Sequence, residues 1–337
     1  MSRADTFPVA RYRFEFQVTR TIRLPDYAGS MLRGAFGHAL RQLACLTRQP
    51  TCPACPLHSE CPYPALFAPR PPTEHRLQRF SEIPVPYVIE APAWGSRTLA
   101  EGEALIFHQV LIGRARHQLS LIILAWRRAL ARGVGAGHGQ AELRRVVHCG
   151  EDGEQEIFRP ENGRIAEHRP TIRRAADSRP LPAGITLRFS TPLRLQRNGN
   201  ALPPAHLQPA ALLMALARRA SLLMEFHAGG PLWQDFTALR AACADLADHK
   251  RLHWRDWERY SSRQQQAMRL GGALGDWRIE GDLTPFGEML RLGEWLHVGK
   301  EAAFGLGQYH CLRHVARDIS AAGRQDGRRL WQGIENQ

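Results

Sequence analysis

The sequence predicts an α+β fold: two tandem ferredoxin-like (RRM-like) halves, each running β-α-β-β-α-β, with a small four-cysteine insertion in the first. Three observations predict it. Strand-like alternation gives way to helical spacing twice along the chain, in the same order each time. In both copies a glycine cluster separates the second helix from the last strand. Four of the seven cysteines crowd into residues 45–61, where flanking prolines forbid a helix.

In the first half, Tyr12, Phe14, Phe16 and Val18 alternate with Arg11, Arg13, Glu15 and Gln17, the pattern of a half-buried strand. Pro25 breaks it, and Leu32, Phe36, Leu40 and Leu43 follow at helical spacing. After the insertion, extended segments return at residues 85–90 and 104–111. A helix over residues 114–131 puts Leu119, Ile122, Ile123, Trp126 and Leu130 on one face, and a strand over 142–148 ends the unit. A polar hairpin, 156–158 with 164–165, precedes an arginine-rich linker. The second half reads as a strand at 185–195, a helix at 207–227, extended segments at 255–265 and 275–281, a helix at 285–296 and a strand at 308–313. The expected domains are residues 1–168 with the insertion at 45–72, a linker at 169–184, residues 185–320, and a tail at 321–337. Two four-stranded sheets side by side would leave a broad cleft for an extended ligand.

At 337 residues the chain can bury two cores, and 44% hydrophobic with 23% charged residues describes an ordinary globular protein. The net charge of +13, carried mostly by arginine, favours a polyanionic partner, because guanidinium forks match phosphates. No apolar run reaches the 18 or so residues that span a bilayer, and the first residues lack the apolar core of a signal peptide. A cytoplasmic protein without membrane contact is the expectation.

The cysteines are spaced Cys45-x6-Cys52-x2-Cys55-x5-Cys61. In a cytosolic chain such a cluster points to metal rather than disulfides. Four thiolates can close a tetrahedral structural zinc site with no open position for catalysis. His58 could replace one of them, and an iron–sulfur cluster fits the same donors. Cys149, Cys243 and Cys311 are scattered and read as buried thiols.

Residues 296–309 join the last helix to the last strand through Gly299, Lys300, Phe304, Gly305 and Gly307. Bare amides in such a loop can form an anion site, and Lys300 adds a point charge. On spacing alone it is equally a plain helix-to-strand turn, which is the commoner case. His297, at the helix end, suits the dipole there or a simple cap. His38 lies on the first helix one turn before Arg41; it is a solvated histidine or a general acid–base group. Around Tyr260, the residues Trp254, Trp257, Arg259, Arg263 and Gln264 either stack on single-stranded nucleic acid or divide between core and solvent.

The run from Phe286 to Tyr309, with Leu290-x-Leu292-Gly293-Glu294-Trp295-Leu296-His297-Val298-Gly299-Lys300 and Phe304-Gly305-Leu306-Gly307, resembles the C-terminal signature of CRISPR repeat-processing endoribonucleases. These belong to the RAMP (repeat-associated mysterious protein) superfamily. Gly29-Ser30-Met31-Leu32-Arg33-Gly34-Ala35-Phe36-Gly37, the cysteine segment ending at Tyr63, and Arg259-Tyr260-Ser261-x-Arg263-Gln264 are similar to its members too. The resemblance implies tandem ferredoxin-like domains and metal-independent cleavage of precursor CRISPR RNA, with no catalytic cofactor. The 2′-hydroxyl attacks the adjacent phosphate and leaves 2′,3′-cyclic phosphate and 5′-hydroxyl ends. It also implies catalytic roles for His38, Tyr27 and Lys300. RNA contacts would come from Gly299, Lys300, Gly305, Gly307, Arg259, Tyr260, Arg263, Gln264, Arg41 and His297, and other CRISPR effector subunits are further partners. The alternatives are a non-catalytic RAMP subunit that binds guide RNA and a general RNA-binding protein.

Overall fold

The computed structural model describes residues 6–71, 83–170, 172–174, 183–230, 235–261 and 266–312. The first half contains β1 (Thr6–Arg20), α1 (Gly29–Ala44), β2 (Tyr87–Glu90), β3 (Ala104–Ile112), α2 (Leu119–Arg132), β4 (Gln140–Gly150) and β5 (Gly153–Phe158). The second contains β6 (Gly184–Leu193), α3 (Pro209–His227), β7 (Ala247–Ser261), β8 (Gln266–Glu280), α4 (Gly287–Leu296) and β9 (Tyr309–Leu312). The architecture is α+β with antiparallel sheets. The first sheet runs β2-β3-β1-β4-β5 and the second β7-β8-β6-β9.

β1 behaves as its alternation predicts, with Tyr12, Phe14, Phe16 and Val18 buried. These side chains meet α1 and α2, and Phe36, Phe107 and Trp126 fill the centre. The Trp126 indole donates to Gln109 Oε1 at 2.7 Å, so the buried polar atom is satisfied. In the second half, α3 and α4 cover the sheet around Leu213, Leu216, Trp277, Phe286 and Leu290.

Three expectations change. The hairpin partner of residues 156–158 is chiefly β4, with Phe158 adding a single bridge to Ile165. Part of the expected linker is sheet, since Ile172–Arg174 pairs with the start of β1. β7 and β8 form one long hairpin, Ala247↔Glu280 to Ser261↔Gln266. Its first half escapes sequence reading because residues 247–256 lie on a solvated edge strand and show no apolar alternation. The expected tail at 321–337 lies outside the described residues.

The two sheets do not stand side by side. The face of the first sheet opposite α1 and α2 carries Phe7, Val9, Val88, Val110 and Ile112. It packs on Ala220, Leu223 and Met224 of α3 and on Leu292, Trp295 and Leu296 of α4. This explains why β2 is buried on both faces. The first sheet thus rests on the second half's helices.

Candidate active site

α1 buries Leu32, Phe36, Ala39 and Leu40 on one face. Its other face, with Arg33, Gly34, Gly37, His38 and Arg41, lines an open cavity of about 750 Å³. The opposite wall is the cysteine-rich insertion, through Pro50, Thr51, Cys52, Pro53 and His58. Tyr63, Phe67, Arg70 and Phe304 complete the lining. Three arginines and two histidines therefore face this space, and no carboxylate lines it among the described residues. Such a surface attracts phosphate, and its imidazoles can move protons near neutrality.

The His38 ring is exposed, and its Nε2 lies 2.8 Å from the Gln42 amide nitrogen one turn on. Arg41 holds the insertion instead of standing free, donating through Nη2 to the carbonyls of Gln49 and Pro50, each at 2.7 Å. Arg33 stacks over the Phe67 ring at 4.4 Å, and its buried Nε has no partner. Sequence reading missed Arg33, Tyr63 and Arg70, and it treated His58 as a metal ligand alone. The positions of Arg33 and His38 on one polar face of α1 were readable; the wall opposite them was not.

The glycine loop is built differently from the expectation. The amides of Val298, Lys300, Phe304, Gly305 and Gly307 donate to the carbonyls of Gly307, Arg194, Glu301, Ala302 and Pro192 respectively. The Gln308 amide donates to Thr191 Oγ1 at 2.8 Å. These amides are spent inside the protein and form no bare anion site. The glycines permit close packing. A Cβ on Gly305 would strike the Tyr27 hydroxyl and the Ile89 carbonyl, one on Gly307 the Val298 carbonyl, and one on Gly299 the Arg194 carbonyl. The loop is a wedge between the two halves, touching the cavity through Phe304.

Tyr27 is likewise corrected. It is buried, its hydroxyl donates to the Phe304 carbonyl, and burial pushes its phenol well above the usual range. A phenol so placed ties α1 to the loop and is no proton shuttle. Tyr27→Phe is expected to lower stability by about 1–3 kcal/mol, because it strands a buried carbonyl. Its cleavage rate should stay within about tenfold of wild type, well short of the ~10²–10⁴ loss of a general acid or base. Thermal melts and single-turnover cleavage check both.

His297 cannot touch RNA from its position, having no exposed surface. Its Nε2 lies 3.3 Å from Glu90 Oε1, and Arg11 Nη2 donates to the same oxygen at 2.8 Å. Arg11 also donates to the Glu294 carbonyl and stacks over Trp295 at 4.5 Å. Burial alone would raise the Glu90 carboxyl, but Arg11 and His297 outweigh it and hold it down to about 2. Burial lowers the His297 pKa, against the opposing pull of Glu90. These residues clamp the halves together.

Lys300 is exposed and lies outside the cavity lining. Arg259 and Tyr260 lie on β7, with side chains outside the described part, as are Arg263 and Gln264 altogether. Trp254 is partly exposed, whereas Trp257 is buried in an aromatic cluster with Tyr27 and Trp94.

The four cysteines are half-buried free thiols lining one small cavity of about 20 Å³ together with His58. Cys55 Sγ lies 3.3 Å from Thr47 Oγ1, and Cys61 Sγ faces the Ala44 carbonyl at 3.9 Å. Among the described residues no three metal-ligating side chains are gathered closely enough to hold an ion. No helix among these residues is long and apolar enough to cross a membrane.

Solved structures share the fold. Thermus thermophilus Cas6 matches at a TM-score of 0.51 and 15% identity, over 91% of this chain and 99% of that one. A Cas6 product complex gives 0.56 and 16%, over 90% and 99%. A partial Cas6-RT-Cas1–Cas2 complex gives 0.53 and 13%, over 95% of this chain and 48% of that one. Residues 7–170 match a family described as an N-terminal domain. Residues 187–309 match the family of the CRISPR-associated endoribonuclease Cas6. The chain is a CRISPR-associated endoribonuclease of the RAMP type. No protein of curated function matches it by sequence. The family match ends at Tyr309, so the glycine loop that wedges the halves together falls inside it.

Proposed function

We propose that this endoribonuclease cleaves precursor CRISPR RNA within its repeat, in the cavity between α1 and the cysteine-rich insertion. The observation that carries the reading is that cavity's lining of imidazoles and guanidiniums without a carboxylate. The chemistry is attack by the 2′-hydroxyl on its own phosphate, with His38 as a proton-transfer group and Arg33 and Arg70 beside the phosphate oxygens. The two halves are tandem ferredoxin-like domains, each with its last strand beside its first. Lys300, Arg259, Tyr260, Arg263 and Gln264 would hold the RNA backbone beyond the cavity. The similarity to a Cas6 product complex and to a Cas6-RT-Cas1–Cas2 complex favours repeat RNA and other CRISPR subunits as partners, met in the cytoplasm.

Wild type should cleave a cognate repeat RNA in EDTA and leave 2′,3′-cyclic phosphate and 5′-hydroxyl ends. His38→Ala should lose about 10²- to 10⁴-fold. Tight binding with no product from wild type would instead indicate a non-catalytic guide-binding subunit.

The insertion is proposed to take one structural zinc on Cys45, Cys52, Cys55 and Cys61. Their shared cavity and soft donors favour it, and closure to tetrahedral spacing would give the segment its folding energy. Elemental analysis of purified protein should return about one zinc per chain; an iron–sulfur cluster would show as iron and colour, and no metal at all sinks the idea.

A further inference from the structure

In cleavage by an internal hydroxyl, the entering 2′ oxygen and the leaving 5′ oxygen stand on opposite sides of phosphorus. A base and an acid on facing walls suit that geometry better than two groups side by side. His38 occupies the α1 wall. Of the described residues lining the facing wall, His58 is the one imidazole.

The insertion is fastened to α1 at both ends, which fixes where His58 stands. Arg41 grips the carbonyls of Gln49 and Pro50, and Cys61 Sγ faces the Ala44 carbonyl. Gly37 lets the Phe67 ring press directly on α1, and Tyr63 stacks on Phe67 at 5.5 Å. Between these anchors the chain turns tightly, with the His58 amide donating to the Cys55 carbonyl at 3.0 Å and the Cys61 amide to the Leu57 carbonyl at 2.9 Å. The His58 side chain remains half-exposed, at the mouth of this turn.

We propose that His58 is the second proton-transfer residue of the cleavage reaction, working across the cavity from His38. The proposal rests on the His38 cavity being the cleavage site. As the 2′-oxygen–phosphorus bond forms, one imidazole takes the 2′ proton. As the phosphorus–5′-oxygen bond breaks, the other imidazole, protonated beforehand, gives its proton to the leaving oxygen. The pair ends with protonation states exchanged, and no metal or redox partner takes part.

Single-turnover cleavage is to be measured on a cognate repeat RNA in its normal form and with sulfur replacing the bridging 5′ oxygen at the scissile site. Sulfur leaves without a proton, so it spares the acid but not the base. On the normal RNA, His38→Ala and His58→Ala should each lose about 10²- to 10⁴-fold. The sulfur RNA should restore one of the two variants to within about tenfold of wild type and leave the other slow. His58→Gln, which keeps a polar side chain of similar size, should match His58→Ala in rate while melting and binding RNA like wild type. Wild-type rates in His58→Ala with an inactive His38→Ala would overturn this proposal and leave the cavity reading intact. Wild-type rates in His38→Ala would overturn both. Loss in His58→Ala that sulfur rescues in neither variant, or that comes with loss of bound metal, would give His58 a structural role and overturn the proposal.

Discussion

Glu90→Ala is expected to destabilise the protein by about 3 kcal/mol, at the lower end of the ~3–5 kcal/mol seen when one partner of a buried ion pair is removed. Glu90 is 6% exposed and accepts from both Arg11 and His297. Its loss leaves Arg11 facing the interface without a counter-charge, and the Arg11 Nε is already buried without a partner. The lower end is appropriate because the Arg11 side chain keeps 22% exposure and so some hydration. Denaturant unfolding measures the effect. The pH dependence has a definite sign. Glu90 titrates lower in the folded state, so its contribution is complete above about pH 4.3 and fades as pH falls toward 2. His297 is also lowered, so its contribution is complete above about pH 6.5 and is lost on acidification below that. The melting temperature should therefore fall between pH 7 and pH 5, and His297→Gln should flatten that slope. A slope unchanged in the variant would remove His297 as its source.

Gly305→Val is expected to cost roughly 2–5 kcal/mol, the sum of a left-handed backbone (about 1–3) and forced overpacking (about 1–3). Gly305 has φ 98°, and an added Cβ meets the Tyr27 hydroxyl and Ile89 carbonyl, neither of which can swing aside. The damage should reach catalysis, because Tyr27 joins this loop to the start of α1, the helix that carries His38. Gly34→Ala is the contrast. Gly34 sits inside α1 with open space where a Cβ would go, so alanine should stabilise by about 0.5–1 kcal/mol. Any loss of cleavage in that variant reports on the cavity, which Gly34 lines, and not on folding. Thermal melts beside cleavage rates separate the two glycines.

Both results turn on the same feature. Glycine was legible in the sequence as a motif, but its purpose was not. Gly29 and Gly37 lie in one short run with Gly34, yet Gly29 makes room for the Phe304 carbonyl, Gly37 for the Phe67 ring, and Gly34 for nothing in the protein. The neighbours that distinguish them are far along the chain.

The sequence by itself determined the element order, the burial of β1, the helical faces of α1, α2 and α3, and the likeness to a superfamily. Those signals are local, since period and turn chemistry act over a few residues. It also placed His38 on α1, because helical spacing alone says which residues leave the core. Tertiary structure decided the rest. It set the first sheet on the second half's helices, put Tyr27, Glu90 and His297 into the seam, and turned the glycine loop into a wedge. It also folded the cysteine-rich insertion over α1, so that His58 faces the same cavity as His38. The physical reason is separation along the chain. Tyr27 and Phe304, or Glu90 and His297, lie more than two hundred residues apart, and no local periodicity carries information about a partner at that distance.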